Sequence, residues 1–137
     1  MTERARVLVV DDEADVREVL AQVFREAGLE AVTAADGATA LALAQGAAFD
    51  VVTMDLRMPG LSGLETLAAL RGLGTDARVV VVSGWLAKAD VRACRALGAF
   101  DVVAKPFDLD QLVAVVREAA AAAPGLAHAS SLPSSSA

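Results

Sequence analysis

Cysteine and histidine are almost missing from this chain. One cysteine, Cys94, stands in 137 residues, so no intrachain disulfide can form and a reducing compartment is the simplest setting. The single histidine, His128, falls in a Ser/Ala/Pro-rich C-terminal stretch with no helix to present it. Clustered basic charge is missing too. Lys and Arg number 12 against 18 Asp and Glu, for a formal net charge of −6. The basic residues are scattered, which argues against a nucleic-acid-binding face. No apolar run approaches the ~20 residues that span a bilayer, and Val7 to Val10 is too short for a secretory signal. The expectation is a soluble cytoplasmic protein with neither nucleic acid nor membrane as partner.

The chain is nonetheless 55% hydrophobic and 22% charged, enough apolar content for one folded domain with one core. Short β-branched runs alternate with segments of helical period. "RVLVV" (6–10), "EAVTA" (30–34), "DVVTM" (50–54), "RVVVVS" (78–83) and "DVVA" (101–104) read as strands. Between them, Val16, Val19, Leu20, Val23 and Phe24 share a helical face ended by Gly28, and an Ala-rich helix over 38–45 stops at Gly46. Leu64, Leu67, Ala68 and Arg71 mark a helix ended by Gly72 and Gly74, Val91 and Cys94 one leading to Gly98, and Leu109, Leu112, Val113 and Val116 the last. Five strand–helix repeats predict an α/β domain: a doubly wound, five-stranded parallel sheet with five helices. Pro124-Gly125 and the Ser/Pro/Ala remainder then predict a disordered tail.

In such sheets the functional crevice lies at the carboxyl ends of the strands. Those positions hold Asp11, Asp12 and Glu13 after the first strand, Asp55 after the third, Ser83-Gly84 at the fourth and Lys105-Pro106 after the fifth. Each alone has a plain structural reading. Asp12 or Ser83 could cap a helix, Asp55 before Met58-Pro59-Gly60 could start a turn, and Lys105 could be a surface lysine. Together they place three carboxylates, a hydroxyl and an ammonium in one pocket. Clustered carboxylates repel. Lys105 can neutralise one charge, and a hard cation with oxygen ligands, Mg²⁺, can neutralise more. No His or Cys lies near these positions to suit zinc. The parts suit phosphoryl transfer onto a carboxylate, giving an aspartyl phosphate.

With these residues in view, the chain resembles a response-regulator receiver domain of two-component signalling. The likeness rests on "VLVVDDE" (7–13), "DVVTMDLRMPGLSGLE" (50–65), "VVVVSG" (79–84) and "GAFDVVAKPFD" (98–108). It implies Asp55 as phosphoacceptor, Asp12 as direct Mg²⁺ ligand, and Asp11 as the acidic partner acting largely through metal-bound water. It implies the backbone carbonyl of Arg57 as a further ligand, Ser83 and Lys105 as the groups that engage the phosphoryl oxygens, and a cis bond before Pro106. The receiver domain is expected over 1–122 and the tail over 123–137.

Two positions depart from the family pattern or bear on its tuning. Val102 stands where many relatives carry an aromatic switch residue, and a stiff β-branched side chain cannot make that rotamer swing. Trp85, near the pocket rim with Arg57, is expected to shield the phosphoryl group or to contact a partner. Cys94 is expected in the core, and Leu61 and Leu64 could pack or meet a partner.

The resemblance implies a single-domain response regulator that accepts a phosphoryl group from a histidine kinase or phosphotransfer protein, signals by protein–protein contact, and is not a dedicated enzyme. Alternatives are a phosphate sink or relay, and an unphosphorylated interaction module. A phosphatase of the haloacid dehalogenase type would want an Asp where Arg57 stands.

Overall fold

The computed structural model describes residues 4–84 and 86–122. The chain alternates β1 (Arg6–Val10), α1 (Ala14–Glu26), β2 (Glu30–Ala34), α2 (Gly37–Gly46), β3 (Val51–Met54), α3 (Gly63–Leu73), β4 (Arg78–Ser83), α4 (Lys88–Ala96), β5 (Asp101–Ala104) and α5 (Leu109–Ala121). All strand pairs are parallel and the sheet order is β2-β1-β3-β4-β5. This is the five-stranded, doubly wound α/β architecture that the alternation predicts.

The central strands are valine-rich because both of their faces are covered. Leu8, Val10, Val52, Met54, Val79 and Val81 pack toward Ala40, Leu67, Leu70 and Cys94 of α2, α3 and α4. Val7, Val9, Val51, Val80 and Val82 pack toward Leu20, Phe24, Leu112 and Val116 of α1 and α5. Each fully buried Val or Leu contributes about 1.5–3 kcal/mol, so these two clusters supply the main drive for folding. Cys94 is wholly buried, as expected, and burial raises its thiol pKa.

Polar residues set the ends of the elements. Ser62 and Glu65 form a reciprocal capping box at the start of α3, and the Asp36 carboxylate accepts from the Thr39 N–H at the start of α2. Gly74, at φ 76°, ends α3 in the left-handed conformation that glycine adopts without strain. Gly72 lies inside α3 rather than ending it, and Asp50 lies just outside β3. Asp50 instead accepts the Arg6 N–H on its carboxylate, at 2.8 Å.

The scattered arginines have a use that sequence reading did not supply. Arg117 donates to Ala27 O, Arg71 to Leu97 O and Arg78 to Ala122 O. Those carbonyls belong to the C-cap residues of α1, α4 and α5, where positive charge is favoured.

Candidate functional site

Strand register brings the site together before any side chain is considered. Val10 pairs with Met54, and Met54 with Val81, so Asp11 and Asp55 emerge at one level of the sheet. Ser83 pairs with Ala104, so the next residue, Lys105, emerges beside Ser83, and its N–H donates to Ser83 O at 2.8 Å. The sheet order reverses on either side of β1, and its crevice opens between the ends of β1 and β3.

Asp11 and Asp55 are buried, at 3% and 7% exposure, while Asp12 is exposed. One carboxylate oxygen from each of the three lies within 4.8 Å of the others. Lys105 Nζ sits 3.2 Å from Asp55 Oδ2 and 3.5 Å from Asp11 Oδ2. The second oxygens are held by main chain: Asp55 Oδ1 accepts from Arg57 N–H at 3.0 Å, and Asp11 Oδ1 from Glu13 N–H at 2.9 Å. Ser83 is fully buried and, with Gly84, Glu13 and Arg57, lines the shallow depression over Asp55.

The electrostatics follow from this packing. Burial pushes the Asp11 carboxyl above its usual range, against the Glu13 N–H and the Lys105 charge, which lower it; the Asp55 charge raises it further. Burial alone would lower the Lys105 ammonium, but the charges of Asp55 and Asp11 outweigh it and the net direction is upward. Lys105 therefore stays protonated. Three carboxylates against one ammonium leave excess negative charge in a partly dry pocket.

The donor set fits a hard divalent cation. All three carboxylates offer oxygen, one atom from each lying within 4.8 Å of the others, and oxygen is the donor type that Mg²⁺ takes.

The plain readings of the strand-end residues fare unevenly. α1 is N-capped by Glu13 without a side-chain bond, so Asp12 is not its cap, and the residue capping α4 is Ala87 rather than Ser83. Asp55 does start a turn through the Arg57 N–H, and it does so while facing Lys105. The Lys105–Pro106 bond is cis. Val102 is half-buried against the α3–α4 side of the core, and Leu64 packs there too; Leu61 is half-buried. Trp85, His128 and the expected 123–137 tail lie outside the described residues.

Two contributors were not visible in the sequence reading. Gly63 packs its Cα against the backbone of Asp55 and Leu56: a Cβ there would lie 2.5 Å from Asp55 O and 2.6 Å from Leu56 Cα. Arg17 donates from its guanidinium to Asp11 O at 2.8 Å. Both act on backbone, and neither has a spacing signal.

The model of the response regulator receiver domain family matches residues 7–117, and the chain belongs to that family, whose members act in two-component and phosphorelay systems. Among curated relatives it is 42% identical to the regulatory protein AtoC of Escherichia coli over 87% of this chain, but over only 26% of that protein. The chain spans less than half the length of the first relatives it matches. It is 30% identical to sporulation initiation phosphotransferase F of Bacillus subtilis, over 82% of this chain and 91% of that protein. Among solved structures, a Burkholderia pseudomallei response regulator with a phosphorylated aspartic acid, calcium ion and citrate superposes with a TM-score of 0.77. It is 30% identical, over 85% of this chain and 69% of that one. Receiver domains of the family bind Mg²⁺ at an aspartate cluster and interact with histidine kinases or phosphotransfer proteins.

Proposed function

We propose that this chain is the receiver unit of a response regulator and accepts a phosphoryl group on Asp55. The observation that carries the reading is the division of labour on that one carboxylate. Its Oδ1 is held by the Arg57 N–H and its Oδ2 faces Lys105, within 4.8 Å of the Asp11 and Asp12 oxygens. Asp11, Asp12, Asp55 and the Arg57 carbonyl would hold Mg²⁺, which supplies charge neutralisation for carboxylates and phosphoryl oxygens alike. The described domain over 4–122 would be the working unit.

In the transfer, an Asp55 carboxylate oxygen forms the new P–O bond as the P–N bond of a donor phosphohistidine breaks. With the other ring nitrogen of the donor protonated, the bonding electrons return to the nitrogen that carried phosphorus and the imidazole leaves neutral. Lys105 compensates the charge on the transferred group, and the Ser83 hydroxyl turns to an equatorial oxygen. Engagement of Ser83 and Lys105 shifts a pre-existing equilibrium of the neighbouring loops and helices. Val102 packs rather than swings, so the shift runs through backbone. Output is protein–protein contact.

A relay role is the second reading, favoured by the match to a phosphotransferase along 91% of that protein's length. The test is labelling with acetyl [³²P]phosphate with and without Mg²⁺, followed by hydroxylamine. Label that needs Mg²⁺ and is released by hydroxylamine, the behaviour of an acyl phosphate, supports the proposal. Absence of label under all conditions would leave only the unphosphorylated interaction module.

A further inference from the structure

We infer that Arg17 is a positioning residue for the metal-binding carboxylates: it fixes the peptide plane between Asp11 and Asp12 and so aims both side chains. The inference rests on the reading that these aspartates hold Mg²⁺.

Asp11 is held at four points. Its N–H donates to Ala34 O, its Oδ1 accepts from Glu13 N–H, its Oδ2 faces Lys105, and its carbonyl accepts the Arg17 guanidinium at 2.8 Å. The first three fix Asp11 itself. The carbonyl contact is the one that reaches forward, because that carbonyl shares a rigid peptide unit with the nitrogen of Asp12. Asp12 is exposed, so core packing does not hold its side chain in place. Its aim depends on the backbone that carries it.

Arg17 is an odd residue for its own position. It stands in the first part of α1, the positive end of the helix dipole, where a cation is disfavoured. Among the described residues it makes no ion pair, although acidic Glu13, Asp15 and Glu18 are close in sequence. Its guanidinium goes instead to the strand-end carbonyl. Its own N–H donates to Glu13 O, opening the helical ladder of α1. Main chain and side chain of one residue thus tie the helix to both ends of the Asp11–Glu13 loop. Its contact is with the Asp11 main chain rather than a carboxylate, so its action on the site is geometric.

The test compares wild type, Arg17→Met and Arg17→Lys by calorimetric titration with MgCl₂, together with acetyl phosphate labelling across Mg²⁺ concentrations and thermal unfolding without metal. Arg17→Met should weaken Mg²⁺ binding about 10-fold, the lower end of what outer-layer partners of metal ligands cost. The Mg²⁺ concentration for half-maximal labelling should rise by the same factor. The maximal rate at saturating Mg²⁺ should stay at the wild-type value, and Arg17→Lys, which keeps a donor, should recover part of the affinity. A purely structural role would lower the unfolding midpoint and the maximal rate together. Unchanged affinity in Arg17→Met, with wild type binding normally, would overturn the inference alone. No Mg²⁺ binding by wild type would overturn the metal reading, and the inference with it.

Discussion

Lys105 and Asp55 stand fifty residues apart in the chain and 3.2 Å apart in the pocket, ammonium to carboxylate. This pair does two opposed things. It lowers the repulsion among three carboxylates, and on the proposed reading it would compete with a divalent cation for the same oxygens. Lys105→Met should therefore bind Mg²⁺ more tightly, by roughly 3- to 10-fold from the charge removed. It should accept phosphate from acetyl phosphate roughly 10- to 100-fold more slowly at saturating Mg²⁺, having lost a donor to the developing charge. Calorimetry and rate measurement on one preparation check both. Weaker Mg²⁺ binding would contradict the assignment of Lys105 as competitor.

Gly63 packs behind the loop that carries Asp55. A methyl at this position would lie 2.5 Å from Asp55 O, closer than a Cβ ever approaches a backbone oxygen. Gly63→Ala should cost about 1–3 kcal/mol in chemical denaturation, the range of core overpacking. It should also slow phosphoryl acceptance beyond what the stability loss explains, because Asp55 is displaced. Normal stability and rate would show that α3 can recede freely.

Asp36 sets a pH dependence away from the pocket. The Thr39 N–H holds its carboxyl below the usual 3.8, so the folded state favours the ionised form. Its stabilising effect is present above pH 3.8 and is lost as pH falls through the depressed folded value. Asp36→Ala should lower the unfolding midpoint at neutral pH, and the gap from wild type should close in that acid window. Asp36→Asn keeps an acceptor without a charge and should lie between the two. A gap of constant size down to pH 2 would contradict the cap.

How much of this was legible in the sequence follows from where each interaction lives. Asp11, Asp55, Ser83 and Lys105 were readable because parallel strands end on one edge, so a residue's place after a valine run fixes its place in space. Gly98, outside α4 at φ 86°, and Gly74 were readable as helix stops for the same local reason. Gly72 misled, since glycine is tolerated within a helix whose Leu67 and Leu70 are wholly buried. Arg17, Gly63 and the arginines on helix C-caps were invisible. Their partners are backbone carbonyls or backbone atoms, which every residue has, so nothing in the sequence marks them. Arg117 reaches Ala27 across ninety residues.

Intact-mass measurement after incubation with acetyl phosphate and Mg²⁺ tests the central claim most directly, comparing wild type with Asp55→Asn. A single phosphoryl adduct on wild type and none on the variant is the predicted result. An adduct of equal yield on Asp55→Asn, or none on wild type while Mg²⁺ binds, would contradict Asp55 as the phosphoacceptor.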